Sequence, residues 1–252
     1  METKLKLIAS RIRECHRCEL SATRLHALPG EGDCGTRFFL VALSPGEQED
    51  IENRMFIGPS GKMLNKLLEE AGIERDTLYI SNLIKCNLPQ NRKPKMREIE
   101  ACSIYLDEEL EIIKPEFIIP LGFYATRYIL EKYRADPPSA KIDFRSLYGK
   151  LAYASGQKIY PLPHPASLLY NPDYYPQTLE KYKKLHTFQK TCKWHNCCPM
   201  KRFYELGKLE KKWIELYCKG DWQTCIRYQM EEQNQYHPDN MLPDGSIART
   251  LE

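Results

Sequence analysis

Residues 38–60 read FFLVALSPGEQEDIENRMFIGPS, and the fold turns on how this stretch is parsed. Its first six residues are all apolar, the pattern of a strand buried on both faces rather than one with an alternating wet face. The run stops at Ser44-Pro45-Gly46, a turn signal. Glu47, Glu49 and Asp50 follow at once, then Met55-Phe56 and Gly58-Pro59-Ser60-Gly61, which leads into an amphipathic helix. A loop just beyond the carboxyl end of a buried strand is where open α/β sheets hold their ligands, and Phe56 could stack there on a flat one. The alternative for this stretch alone is an acidic, solvated turn.

Working outward, comparable strand patterns recur at 78–84 (LYISNLI), 117–121 (FIIPL) and 158–162 (KIYPL). Helical patterns lie between and around them at 60–71, 96–114, 123–132 and about 176–191. In the first of these Met63, Leu64, Leu67, Leu68 and Ala71 share one stripe and Gly72 supplies the stop. Strands alternating with helices predict an α/β fold, a three-layer α/β/α sandwich around a central parallel four-stranded sheet. A polar, proline-containing loop is expected at 135–140. Beyond residue 191 the texture changes: five of the ten cysteines and all three tryptophans lie there. This places a boundary near residue 190, dividing a domain at 1–190 from a small, mainly α extension at 191–252.

The 252 residues carry a net charge of +3, too small to require a polyanion partner, although local basic clusters can still serve one. No run of 18 apolar residues is present, and the charged start METKLKLIASRIREC reads as a short helix of a cytoplasmic protein. In such a chain ten cysteines point to metal ligation or redox chemistry rather than to a disulfide scaffold.

Cys15-x2-Cys18 is a close ligand pair of the kind used for zinc or iron–sulfur. Cys86 follows a strand and Cys102 lies on a helix; both are equally readable as buried core thiols. His164, fixed between Pro163 and Pro165, is either a donor to a carbonyl or oxyanion or a cap for the next helix. Asn82, in an otherwise apolar strand, either satisfies local backbone or reads an amide-like edge such as a pyrimidine's. Arg92, Lys93, Lys95 and Arg97 form a basic loop suited to phosphates, or merely a solvated one. In the extension, Cys198, Cys218 and Cys225, with Cys192 or Cys197, could supply four ligands to a second metal, zinc or iron–sulfur. His195 and His237 are alternates, and free thiols in a small helical unit are the competing reading.

Six motifs, in order, resemble the iron–sulfur (family four) uracil-DNA glycosylases. They are Cys15-His-Arg-Cys18, Ser44-Pro-Gly-Glu-Gln-Glu-Asp50, Arg54-Met-Phe-Ile-Gly-Pro-Ser-Gly61, Tyr79-Ile-Ser-Asn-Leu-Ile-Lys-Cys86, Pro89-Gln-Asn-Arg-Lys-Pro94 with Cys102 beyond, and His164-Pro-Ala-Ser-Leu-Leu169. The resemblance covers roughly residues 8–190. It implies a uracil-DNA glycosylase-like fold, a [4Fe–4S] cluster on Cys15, Cys18, Cys86 and Cys102, and, as partner, DNA containing uracil or another deaminated base, which the protein would hydrolyse off to leave an abasic site. It further implies that Phe56 stacks on a flipped base, Asn82 reads the uracil edge, and His164 stabilises charge on the leaving uracil oxygen. Glu49 would assist water or the sugar cation, and Ala42, Leu43 and Ser44 would line the base site. Asn91, Arg92 and Lys93, together with Ser167 and Leu168 of a minor-groove loop, would contact DNA. The chemistry suits these residue types, because the N-glycosidic bond breaks with cation developing on the sugar and anion on the base.

The sequence departs from the family in its first motif, where Gly-Glu before the turn is Ala42-Leu43, and further on, where Asn53 and Met55 replace Gly and Pro. Base preference and turnover depend on these positions. The reading of a different class is a non-catalytic iron–sulfur protein that binds damaged DNA. The extension is expected to dock a repair or replication protein.

Overall fold

The computed structural model describes residues 1–134 and 143–251, so the loop expected at 135–140 lies outside the described residues. Among the described residues six strands are formed: β1 Glu31–Gly32, β2 Phe38–Ala42, β3 Tyr79–Asn82, β4 Phe117–Pro120, β5 Ala152–Ala154 and β6 Gln157–Ile159. They make one sheet in the order β1-β3-β2-β4-β6-β5. The central four are parallel, as their sequence patterns predict. The sheet as a whole is mixed and wider than the four parallel strands expected, because β1 and β5 add antiparallel edges. Strands this short carry no readable periodicity, yet they blunt an otherwise open ladder.

The described residues of this part of the chain form seven α-helices: α1 Glu2–Arg13, α2 Glu47–Glu52, α3 Pro59–Glu70, α4 Met96–Ile113, α5 Phe123–Lys132, α6 Ser167–Tyr170 and α7 Tyr175–Phe188. Successive side chains of a strand face opposite sides, so an all-apolar β2 requires cover on both. Phe38, Leu40 and Ala42 pack with Leu64 and Leu68 of α3 and Tyr182 and Phe188 of α7. Phe39 and Val41 pack on the other side with Leu106 and Leu110 of α4 and Ile129 of α5. A third cluster joins Ile8 and Ile12 of α1 to Cys86, Cys102 and Tyr105.

The remaining chain forms α8 Pro199–Glu205, α9 Lys211–Trp213, which runs on into a π-helical turn Ile214–Cys218, and α10 Ile226–Glu232. It has its own small core of Met200, Phe203, Leu209, Ile214, Cys218 and Leu251. Lys158 of β6, only 2% exposed, joins it to the sheet. Its ammonium lies 2.8 Å from Glu116 and 2.9 Å from Glu215, donates to the Lys219 carbonyl at 2.7 Å, and sits 4.7 Å above the Phe117 ring. A second tie runs from Lys184 to Asp221 at 2.6 Å. Among the described residues no helix is long and apolar enough to cross a membrane.

Candidate active site and cysteine centre

The carboxyl ends of the four parallel strands bring the predicted site residues to one edge of the sheet. Ala42 ends β2 in register with Asn82 at the end of β3. Leu121, just past β4, bridges Leu162, two residues before His164. The three carboxylates expected in a loop instead sit on α2, with Gly46 as its N-cap. Glu47 is exposed, while Glu49 and Asp50 turn inward. Asp50 accepts the backbone N–H groups of Leu25 and His26, at 3.0 and 2.7 Å, which fixes the chain leaving the Cys15–Cys18 segment. Glu49 Oε1 accepts the Gly58 N–H at 2.8 Å, at the N-cap of α3 where a carboxylate is favoured.

That clamp holds the loop carrying Phe56. Phe56 is buried and has φ of 54°, a left-handed conformation that a bulky residue adopts at a cost of about 1–3 kcal/mol. Gly61 makes the geometry attainable: a Cβ there would lie 1.8 Å from the Phe56 carbonyl oxygen. Met55, the departure from the family's proline, is 2% exposed, and its sulfur accepts from Asn82 Nδ2 at 3.3 Å. Asn82 is equally buried, and its Oδ1 has no partner. A buried carbonyl left unpaired costs about 1–3 kcal/mol, so it marks a place where a donor is missing.

His164 is partly buried, and its Nδ1 accepts the Ala166 N–H at 3.2 Å. The proton of the neutral ring therefore resides on Nε2, which is left as a donor. Burial depresses the imidazole pKa to about 4. Ring placement depends on Gly122 (φ +79°), where a Cβ would meet His164 Cβ at 2.9 Å. Because the depressed value lies below the working range, single-turnover base release is expected to show no His164 ionisation between about pH 5 and 8. Release should fail only as pH drops through about 4, where a proton on Nδ1 would oppose the Ala166 N–H. An inflection near pH 6.5 that disappears in His164→Ala would contradict this.

The expected DNA contacts separate in the structure. Arg92 is committed to Glu98 through two bonds of 2.9 and 2.5 Å, whereas Asn91 and Lys93 are exposed. Glu19 gathers Lys95 and Arg97 as well, tying the segment after Cys18 to this loop. Leu168, expected on DNA, is 2% exposed and belongs to the core. Ser167 is exposed but returns its hydroxyl to the His164 carbonyl at 2.7 Å. The apolar side chains that this turn presents outward are Leu169 and Tyr170. Leu43, expected in the base site, is half-buried and packs with Ile84, Cys86 and Leu88 on the cysteine side, opposite Ala42.

Cys15, Cys18, Cys86 and Cys102 line one cavity with an empty volume of about 280 Å³. The Lys85 N–H donates to Cys102 Sγ at 3.2 Å, and Arg24 Nη1 donates to Cys86 Sγ at 3.0 Å. Burial pushes the Cys102 thiol up to about 12 and raises that of Cys86 against the pull of Arg24. Thiolates in so dry a site need cationic company, and the donors aimed at sulfur suit metal-bound thiolates. The donor set therefore fits an iron–sulfur cluster. Arg24 was not singled out by sequence, since a lone arginine beyond a cysteine pair carries no signal. The same holds for Glu109, which accepts Lys85 Nζ at 2.7 Å and Ser81 Oγ at 2.6 Å and, through its other oxygen, the Gly30 N–H at 3.0 Å. Lys85 and Glu109 are each 1% exposed, directly behind Cys86.

Fold and site together describe an α/β domain with a parallel central sheet that carries an aromatic, an amide and an imidazole near the carboxyl ends of its strands, together with a four-cysteine cavity. The chain belongs to the uracil DNA glycosylase superfamily, whose profile matches residues 29–190. It is similar to a type-4 uracil-DNA glycosylase of Saccharolobus solfataricus, 38% identical over 72% of this chain and 84% of that protein. A type-4 uracil-DNA glycosylase of Sulfurisphaera tokodaii is 37% identical over 83% and 93% respectively. A type-5 uracil-DNA glycosylase of Pyrobaculum aerophilum is more distant, 31% identical over 57% and 67%.

Proposed function

We propose that this chain is a cytoplasmic DNA glycosylase that hydrolyses the N-glycosidic bond of uracil in DNA and leaves an abasic site. The observation that carries the reading is the unpartnered Oδ1 of buried Asn82, whose Nδ2 donates to the sulfur of Met55 in the loop that carries Phe56. Uracil offers an N3–H donor flanked by carbonyl acceptors, the complement of an amide with one free acceptor and one weakly engaged donor. In this reading the base leaves the stack, lies against Phe56 and is held by Asn82. His164 Nε2–H donates to the uracil oxygen on which negative charge grows. Glu49, fixed by Gly58, faces the developing oxocarbenium charge and the incoming water with its carboxylate.

Cys15, Cys18, Cys86 and Cys102 would hold a [4Fe–4S] cluster whose contribution is to cross-link the N-terminal segment to the loop after β3. Lys93 and Asn91 contact the phosphates, and Leu169 and Tyr170 wedge into the gap left by the base. Residues 1–190 carry the chemistry, and 191–252 are an appended unit. Its exposed Tyr204, Leu206 and Tyr236 are the side chains it offers to a repair or replication protein.

The second reading, binding without excision, is favoured by Leu43, which places an apolar side chain where the family carries a glutamate. Single-turnover assays on uracil-containing oligonucleotides separate the two. Wild type is expected to release uracil, with Leu43→Glu no faster, because its carboxylate would enter the apolar wall around Ile84 and Cys86. No release by wild type together with release by Leu43→Glu would make the protein a binder.

A further inference from the structure

The extension contains a second four-cysteine cavity. Cys192, Cys198, Cys218 and Cys225 line an empty volume of about 550 Å³. The chain brings them together from two stretches, and the Cys192 N–H donates to the Cys218 carbonyl at 2.8 Å. Cys197 also reaches the wall but is exposed, and its thiol donates to the Trp194 carbonyl at 3.3 Å. Cys192 and Cys198 are half-buried and Cys218 and Cys225 are buried, which separates four inward thiols from one outward.

A buried arginine completes the wall. Arg227 is 2% exposed; its Nη1 donates to the carbonyls of Pro238, Asp239 and Met241, while its Nε and Nη2 have no partner. A charged side chain so buried, with two idle donors at a thiol-lined cavity, requires negative charge there. The N-terminal cavity likewise brings four cysteines together with arginine: Arg17 and Arg24 both line it, and Arg24 donates to the Cys86 sulfur.

The likeness to the N-terminal cavity bears on the kind of metal group. In both, four cysteines meet an arginine donor: Arg24 reaches the Cys86 sulfur, and Arg227 holds two idle donors at the wall. Arginine donors at a thiol-lined cavity suit a group that brings several sulfur acceptors of its own, as an iron–sulfur cluster does. We propose that Cys192, Cys198, Cys218 and Cys225 bind a second iron–sulfur cluster, with Arg227 donating to its sulfur ligands. Cys218 ends the π-helical turn that also carries Glu215, the partner of Lys158, so the cluster and the docking of the extension share one turn.

The test is iron and acid-labile sulfide per full-length chain after anaerobic purification, with zinc measured alongside. Two four-cysteine cubane clusters predict about eight irons in wild type and about four in Cys218→Ser. Cys197→Ser should keep the wild-type count. Cys102→Ser should lose the other half, so loss of the N-terminal cluster is distinguished from loss of this one. About four irons in wild type, unchanged in Cys218→Ser, would overturn the proposal. One zinc per chain beside four irons would also overturn it, and this reading requires only wild-type protein should Cys218→Ser fail to fold.

Discussion

Replacing His164 by alanine is expected to slow single-turnover uracil release by about 10²–10³-fold, roughly 2.7–4 kcal/mol of barrier, with fold and iron content unchanged. The magnitude follows from what the side chain contributes. Its Nδ1 is occupied by the Ala166 N–H, so a single donor, Nε2–H, is left for the leaving base of the proposed reaction. Burial keeps that donor neutral at working pH, so under that reading it would offer a fixed dipole rather than a mobile proton to the developing charge. The ring is framed by Pro163 and Pro165 and backed by Gly122, so little reorganisation accompanies the reaction. Affinity for uracil-containing DNA should change far less than the rate, because the donor is strongest when the base carries charge. A loss below ten-fold, or an equal loss in binding, would remove His164 from the role of leaving-group donor.

The largest stability effect is expected at Glu109. Removing its carboxylate in Glu109→Ala leaves the Lys85 ammonium, 1% exposed, without its counter-charge, at a cost of about 3–5 kcal/mol. Domains have only about 5–15 kcal/mol in hand, so unfolding at physiological temperature is within reach. The damage should extend to the N-terminal four-cysteine cavity. Lys85 precedes Cys86, and its N–H donates to Cys102 Sγ, so a displaced Lys85 moves two of the thiols proposed to hold the cluster. Urea midpoints and iron per chain measured together would report both effects. The double variant Lys85→Met/Glu109→Leu is the discriminating control. An apolar pair of similar volume commonly replaces a buried ion pair without loss, so much of the stability should return. If the double variant is as unstable as Glu109→Ala, the hydrogen bonds to Ser81 and Gly30 matter more than the ion pair.

The parallel core was legible because each of its strands is covered on both faces and therefore reads as apolar. The same physics hid the edges: β1 and β5 have two and three residues and are defined by what they pair with. The site residues His164, Asn82 and Phe56 were legible as chemistry in unusual places, a histidine between prolines and an amide in an apolar run. Orientation was not. Leu168 and Leu169 are adjacent leucines of one motif, yet one is core and the other faces solvent, a difference set by a four-residue helix. The acidic run 47–50 reads equally as a site loop or as a solvated turn, and neither reading announces that Asp50 and Glu49 satisfy backbone donors of residues 25–26 and 58. Lys85 with Glu109, and Lys158 with Glu215, are pairs distant in sequence that no local pattern announces.

The amide of Asn82 has a consequence for which letter of the genetic alphabet the pocket accepts. Exchanging its oxygen and nitrogen by a half-turn converts the complement of uracil into a complement of cytosine, which offers an acceptor at N3 and a donor at N4. Every correctly paired cytosine would then be a target. Within the protein the named hold on the amide is the thioether of Met55, a weak acceptor that engages nitrogen and not oxygen. Under the proposed function, discrimination against cytosine draws on this sulfur contact, made where the family places a proline.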